Sequence, residues 1–205
     1  MDANPSITMR AVSESADPAV LGDIYQDLHN IAVWRRELSE DIVAGVDELL
    51  KSHTSLQLAM SVTPQNVLAS VREALNGSPC AIGVSQDIAE LVNMFSCLFD
   101  LEWVGLRLKA LSDAMCPRFH VDRVPCRLVT TYQGVATQWL PHHLADRTKL
   151  GPGNNGLPDE LSGVYQSVDD IQQLNSGDVA LIKGELWEGN EGAGLVHRSP
   201  LSEWI

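Results

Sequence analysis

Residues 116–122, C-P-R-F-H-V-D, are the stretch at which the spacing of apolar residues changes from helical to strand-like. Before it, apolar residues recur every three or four positions, whereas from Cys116 onward they alternate, as on the two faces of a strand. The alternation places Arg118, His120 and Asp122 on one face. An imidazole and a carboxylate two positions apart on one face can bind the same cation. The stretch therefore predicts both a strand and a pair of metal ligands.

Residues 19–115 are predicted to be mainly helical. Periodic apolar residues predict helices over residues 21–36, from Ser39 to Leu50, from Thr63 to Gly77 and from Ser85 to about Phe99. Residues 103–111 either extend the last of these or form a helix of their own. The third of these begins at a threonine followed by a proline and ends at a glycine, which is the usual order of cap residues.

The two ends of the chain differ from this helical region. Residues 1–18 are polar and contain two prolines, which predicts a flexible N-terminal arm. Residues 116–205 predict a β region, because residues 127–132 and 178–183 are short stretches typical of strands and glycine-rich turns lie between them. We expect one integrated domain of the α+β class.

Composition and charge exclude several classes of function. The chain has 205 residues, 44% of them hydrophobic, and a net charge of −13, so it can bury a core but repels nucleic-acid phosphates. No apolar stretch is long enough to cross a bilayer and no secretory signal begins the chain, which predicts a cytoplasmic protein without a membrane partner. We expect a small-molecule or unknown substrate, and the oligomeric state leaves no trace in the sequence.

A second imidazole, His197, follows a glycine-rich turn in the β region. Together with His120 and Asp122 it would give two histidines and one carboxylate, a ligand set that leaves positions open on the metal and suits non-haem Fe(II) oxygenases. The alternative is a histidine–aspartate hydrogen bond on a half-exposed strand, with His197 a separate core histidine. Spacing alone does not decide between them.

A zinc site with sulfur ligands is a further possibility. Cys116, His120 and Cys126 lie within eleven residues and, joined by His197, can make a tetrahedral set, although buried cysteines also serve as small hydrophobic residues. Flanking arginines, Arg118 and Arg123, are predicted to hold Asp122 in place by hydrogen bonds.

Several motifs resemble one bacterial family. They are C-P-R-F-H-V-D-R-V-P-C-R-L at 116–128, Y-Q-G at 132–134, G-D-V-A-L with K-G-E at 177–185 and H-R-S-P at 197–200, with W-R-R at 34–36 and L-R-L at 106–108. In these motifs the chain resembles the family labelled domain of unknown function 1826, from about residue 20 onward. Members of that family are associated with zinc homeostasis, which implies a non-catalytic zinc-binding protein as an alternative.

The β region also resembles, more loosely, the iron and 2-oxoglutarate dioxygenase superfamily. That likeness implies a cupin-like barrel, a double-stranded β-helix, on which the helical N-terminal half packs, and Fe(II) held by His120, Asp122 and His197. It also implies a basic or polar residue that binds the 2-oxoglutarate carboxylate. A third possibility is a structural barrel whose site is not used, so whether the protein is an enzyme stays open at this stage. The candidates for cosubstrate binding are Arg127, Tyr132, Lys183 and Arg198.

Overall fold

A computed structural model of the chain describes residues 9–52, 56–110 and 116–200. It is a mixed α+β protein that divides into two compact units. Unit 1 comprises Met1–Glu37 and Ala114–Ile205, and unit 2 comprises Leu38–Asp113. Unit 2 therefore interrupts the sequence of unit 1. None of the helices in the described ranges is long and apolar enough to cross a bilayer.

Strands and α-helices are numbered along the chain. The strands are β1 (Ala11–Ser15), β2 (His29–Trp34), β3 (Gln57–Val62), β4 (Val104–Lys109), β5 (Cys126–Thr130), β6 (Gln138–Leu140), β7 (Gln172–Gln173), β8 (Val179–Lys183) and β9 (Val196–Arg198). The helices are α1 (Glu40–Ser52), α2 (Val67–Ala74), α3 (Ala81–Phe99) and the single turn α4 (Asp159–Ser162). Short 3-10 segments cover Pro18–Tyr25, His142–Leu144, Arg147–Lys149, Gly151–Asn154 and Val168–Asp170.

Unit 1 contains an open four-stranded sheet in the order β1-β2-β8-β5. Strand β1 runs parallel to β2, while β8 is antiparallel to both β2 and β5. All five residues of β8 are buried, as expected of a central strand that is covered on both faces. This sheet positions β5, which follows the H-x-D segment, and the turn that leads from β8 to His197.

A smaller sheet of unit 1, in the order β7-β6-β9, carries the second half of the site. Its strands are short, and an apolar cluster supports them. Phe119 and Val196, the neighbours of the two candidate histidines, lie in this cluster, which fixes the backbone on either side of the ligands. The cluster consists of Phe119, Leu140, Val164 and Val196.

Unit 2 is formed by the antiparallel pair β3-β4 and helices α1, α2 and α3. Gly45 on α1 is needed for packing against the start of α3, because a Cβ there would lie 2.3 Å from the Cys80 carbonyl oxygen. The three helices bury apolar faces that include Val46, Val71 and Ile88.

The predicted first helix, over residues 21–36, is wrong. The chain forms the 3-10 segment Pro18–Tyr25 and then β2, in which Ile31, Ala32 and Val33 are all fully buried. A central strand buried on both faces has a continuous apolar run rather than an alternating one, so its residues also fit helical spacing. Of the arm predicted over residues 1–18, residues 1–8 lie outside the described ranges and Ala11–Ser15 form β1.

The other helix predictions have mixed outcomes. The helix from Ser39 to Leu50 is confirmed as α1, and the helix from Thr63 to Gly77 is confirmed as the shorter α2, with Thr63–Asn66 forming a turn. The helix predicted from Ser85 is confirmed as part of α3, which ends at Phe99. Residues 103–111 were predicted to be helical, but Val104–Lys109 form β4 instead. Leu111 lies outside the described residues.

In the β region, the strands predicted over residues 127–132 and 178–183 are confirmed as β5 and β8, with small shifts of their ends. The double-stranded β-helix is not confirmed. The strands described for unit 1 lie in two separate sheets, and the larger of them keeps two edge strands, β1 and β5, so it does not close into a barrel.

Candidate metal centre

The pairing of two backbone segments brings the candidate histidines together. His120 and His197 form an isolated antiparallel bridge, in which each backbone N–H donates to the other carbonyl over 3.0 Å. On its other side His197 pairs with Trp139 of β6. The two imidazole rings therefore project from directly opposed positions, and their centroids are 4.5 Å apart.

Asp122 completes a group of three metal-ligating side chains. His120 Nε2 lies 3.8 Å from Asp122 Oδ1, and His197 Nε2 lies 3.6 Å from Asp122 Oδ2. One ligand atom from each residue lies within 4.8 Å of the other two, and this is the only such group found among the described residues. The distances suit a cation between the three atoms rather than direct hydrogen bonds, which are shorter than about 3.2 Å.

Both imidazoles are oriented by their own backbone segments. The Nδ1 atom of His120 lies 2.9 Å from the Arg118 carbonyl oxygen, and that of His197 lies 3.0 Å from the Leu195 carbonyl oxygen. A carbonyl oxygen can only accept, so each Nδ1 carries the proton and donates it. Each Nε2 is then the ring nitrogen left to ligate a metal, and each lies no more than 3.8 Å from an Asp122 oxygen.

Burial and charge favour a cation at this point. His197 is 5% exposed, and burial, followed by the charge of His120, lowers the pKa of His197 to about 4. Its imidazole is therefore neutral at neutral pH. Asp122 Oδ2 is buried and has no hydrogen-bond partner of good geometry among the described residues, although Arg127 Nε lies 3.0 Å away as an ion pair. An unsatisfied buried carboxylate oxygen beside two lone pairs is chemically suited to a metal ion.

The loop that carries Asp122 is held by the residues after β8. Glu185 N–H donates to the Asp122 carbonyl oxygen over 2.9 Å, and Gly184 N–H donates to the Pro125 carbonyl oxygen over 2.9 Å. A Cβ at Gly184 would lie 2.1 Å from the Val124 carbonyl oxygen and 2.6 Å from that of Asp122. Glycine at 184 thus permits the close approach that sets the position of Asp122.

An open cavity of about 360 Å³ lies on the His120 side of the group. The Arg147 side chain is fixed at this cavity, because it donates 2.9 Å to the Gly194 carbonyl oxygen and 2.6 Å to Glu185 Oε1. Sequence reasoning missed Arg147, since it stands in a loop without any motif. The cavity is lined by His120, Val121, Arg147, Leu150, Gly151 and Glu185.

The arginines and cysteines predicted to support the site lie elsewhere. Arg118 donates to the Leu157 and Gly156 carbonyl oxygens rather than to Asp122, and Arg123 is exposed. Neither Cys116 nor Cys126 joins the group of ligands. Burial raises the pKa of the Cys126 thiol to about 12, so this cysteine is an inert, neutral group.

The four candidates for cosubstrate binding occupy different places. Arg127 is next to Asp122. Lys183 donates 2.9 Å to the Gln26 carbonyl oxygen and lies over the Trp187 ring, and burial lowers its pKa. Tyr132 is half-buried, two residues beyond the end of β5.

The fourth candidate, Arg198, is held by acidic and polar partners. Its Nη1 donates a hydrogen bond of 3.0 Å to Asp159 Oδ2, and its Nε donates one of 2.9 Å to Gln138 Oε1. Its guanidinium lies over the Phe119 ring. Arg198 therefore stabilises the strand beside His197.

Comparison with known proteins gives a family and no relative of assigned function. The family described as "Protein of unknown function (DUF1826)" matches residues 15–204. No curated protein matches the chain, and no solved structure matches it.

Proposed function

This chain belongs to the DUF1826 family, and we propose that it is a metalloprotein in which His120, Asp122 and His197 hold one divalent metal ion. The observation that carries the proposal is the shared orientation of the two imidazoles. Each histidine donates its Nδ1 proton to a backbone carbonyl two residues earlier and has its Nε2 no more than 3.8 Å from an oxygen of the same carboxylate.

These three residues suit an Fe(II) ion better than they suit a structural zinc ion with four protein ligands. Two histidines and one carboxylate leave positions open on an octahedral ion, and when bound, Fe(II) in such a set supplies oxygen chemistry at those positions. A structural zinc site needs four protein ligands, and the cysteines expected to complete one are absent from the group among the described residues. We therefore propose a mononuclear non-haem Fe(II) oxygenase that acts on a small molecule entering beside His120.

The chain's own groups have distinct parts in this proposal. The neutral imidazole of His197 and the carboxylate of Asp122 bind the ion from the buried side, whereas His120, whose side chain is 33% exposed, faces the cavity. Arg127 adjoins Asp122 and has a side chain that is 41% exposed, so it is the candidate best placed to pair with a 2-oxoglutarate carboxylate.

The first test is the metal content of the protein purified without chelator. Iron, zinc and manganese are quantified in the wild-type protein, in a His120→Ala/His197→Ala double variant and in a His143→Ala variant, whose histidine is exposed and outside the group. We expect close to one equivalent of iron in the wild type and in His143→Ala, and none in the double variant. Failure of both Fe(II) and Zn(II) to bind after anaerobic reconstitution would overturn the metal site.

The second test separates an oxygenase from a zinc-binding protein. One equivalent of zinc with no consumption of O2 would favour the non-catalytic alternative, zinc binding or zinc homeostasis. For the oxygenase we expect Fe(II)-dependent consumption of 2-oxoglutarate that is lost in Arg127→Gln while the iron content is kept. Turnover that is unchanged in Arg127→Gln would contradict the part assigned to Arg127.

A further inference from the structure

We propose that Arg147 binds the carboxylate of a small organic acid, the substrate, in the cavity beside His120. The inference rests on the proposed function, because it names the class of molecule that would meet the metal ion there. It goes beyond that function by assigning a residue that no sequence motif indicates. Arg147 and His120 line the same cavity of about 360 Å³.

The Arg147 guanidinium is held in place with donors to spare. Its Nη1 donates one hydrogen bond to the Gly194 carbonyl oxygen, and its Nη2 donates one to Glu185 Oε1. Two of its five N–H groups are therefore used. The other three have no partner among the residues that the structure describes. The side chain is 22% exposed, which leaves it partly shielded from water yet open to the cavity. A fixed, partly desolvated guanidinium is a strong receptor for a carboxylate.

Arg147 has a second cation, Arg10, near it in a chain whose net charge is −13. Burial lowers the pKa of Arg147, and the nearby charge of Arg10 lowers it further. Burial also lowers the pKa of His142, and the charges of Arg147 and Arg10 lower it further. An anion placed near Arg147 would offset the burial and the repulsion that disfavour its charged form. Glu185 is the acidic residue of the cavity lining.

Glu185 only partly neutralises this charge. Its Oε1 accepts from Arg147, but its Oε2 accepts from the Gly192 N–H over 2.9 Å, so the carboxylate is shared with the backbone. A bound acid would compete with Glu185 for Arg147. The nearby carboxylate also disfavours a dianion such as phosphate relative to a single carboxylate. Val121 and Leu150 supply apolar lining for a short carbon chain.

The test measures binding of butyrate, its uncharged amide butyramide and inorganic phosphate to the full-length protein, by shifts of amide signals in NMR titrations. We expect saturable butyrate binding that weakens roughly 10- to 100-fold in Arg147→Gln and less in Arg147→Lys. Arg72→Gln, an exposed arginine on α2, is the matched control and should bind like the wild type. Butyramide that binds as well as butyrate, or phosphate that binds better, overturns the proposal.

A second variant guards against loss of folding in Arg147→Gln. Glu185→Gln removes the competing carboxylate while it keeps a group that accepts from Arg147, so butyrate should bind severalfold more tightly. A purely structural Arg147–Glu185 pair would give no gain, and an affinity equal to or weaker than that of the wild type in Glu185→Gln overturns the proposal.

Two further measurements separate this inference from the proposed function. Metal content is determined for every variant. If butyrate binding depends on Arg147 but no metal binds, the inference stands and the proposed metalloprotein is wrong. If one metal binds per chain but butyrate binding does not depend on Arg147, the metalloprotein stands and the inference is wrong. A titration with 2-oxoglutarate distinguishes substrate from cosubstrate. We expect its binding to depend on Arg127, and a dependence on Arg147 as strong as that of butyrate would overturn the assignment to the substrate.

Discussion

The backbones of His120 and His197 exchange two hydrogen bonds of 3.0 Å each, although the residues are far apart in the chain. The distance between their imidazoles is therefore set by backbone pairing and not by side-chain packing alone. Phe119 and Val196, the residues next to them, are buried in a common apolar cluster and keep the two backbone segments in register. The candidate site is thus built on paired, supported backbone.

Replacing Asp122 by Asn should separate metal binding from folding. Asparagine has the same shape as aspartate but supplies no charge, so we expect metal affinity to fall by at least about 10- to 100-fold. The free energy of unfolding of the metal-free protein should change little. Elemental analysis and thermal melts measure the two quantities, with Glu188→Gln as the control for loss of one exposed carboxylate. Full metal content in Asp122→Asn would contradict the ligand assignment.

Gly184→Ala should damage the site without altering any ligand side chain. The added Cβ would meet the carbonyl oxygens of Val124 and Asp122 at 2.1 and 2.6 Å, so the loop must shift, at a cost of about 1–3 kcal/mol in the free energy of unfolding. Metal affinity should fall with it. Gly22→Ala, where no atom lies within 4 Å of the new Cβ, is the control. Equal chemical denaturation midpoints for the two variants would show that the close approach at Gly184 is unimportant.

Arg198→Leu should destabilise unit 1. The change leaves the Asp159 carboxylate, which is 6% exposed, without its cationic partner, and a broken buried ion pair costs about 3–5 kcal/mol. Asp159 Oδ2 also accepts from the Phe119 N–H, beside His120, so metal affinity should weaken too. Glu160→Gln, which changes an exposed carboxylate that also pairs with Arg198, should have little effect. Urea denaturation of the three proteins measures the difference.

Stability of the metal-free protein should depend on pH because of His197. Its pKa is lowered to about 4 in the folded chain, below the ordinary 6.5, so the unfolded chain binds the proton more readily. The contribution of His197 to the free energy of unfolding is then fully present above about pH 6.5. It is lost as the pH drops toward 4, by about 3 kcal/mol at most.

Melting temperatures measured between pH 7 and 4 with chelator present test this, comparing the wild type with His197→Gln and His143→Gln. The slope over that window should shrink in His197→Gln alone. An identical slope in all three proteins would mean that His197 titrates normally.

Cys126 should resist thiol reagents. Burial raises its pKa to about 12, so at pH 8 the reactive thiolate is scarce and alkylation is slow. In a variant with the other three cysteines replaced by alanine, iodoacetamide labelling should rise with pH through pH 10 without a plateau. Cys97, which is exposed, is the comparison in the corresponding single-cysteine variant. Labelling of Cys126 as fast as Cys97 in the folded protein would refute the prediction, and unfolding in urea should remove the difference.

Local patterns predicted those parts of the protein that depend on local geometry. The strand predicted over residues 116–122 is wrong, because these residues form only the isolated bridge at His120. The alternation did place His120 and Asp122 on one side and Phe119 on the other, and the structure has Phe119 buried in the apolar cluster. Pairing with His197 is non-local, and here the resemblance to a ligand pattern supplied what spacing alone left open. Grouping of the three residues agrees with the prediction.

Other parts of the structure were not predicted, for identifiable physical reasons. Strand β2 is apolar on both faces, so Ile31 and its neighbours carry no period of two that distinguishes them from a helix. Strand β4 does alternate, with Leu106 and Leu108 less exposed than Gly105 and Arg107, but the apolar residues before it extended the helical pattern across the boundary. Arg147 gave no signal, because only the folded loop brings it beside His120.

The interruption of unit 1 by unit 2 also sets an order of folding during synthesis. Unit 2 pairs β3 with β4 and packs its helices using residues 38–113 only, so its contacts are complete once that segment has left the ribosome. Strand β2 emerges earlier, yet it must wait for β8, about 150 residues later, before it has its antiparallel neighbour. The last ligand to emerge is His197. Nascent chains that stop short of β8 leave one edge of β2 unpaired, and an unpaired strand edge favours aggregation.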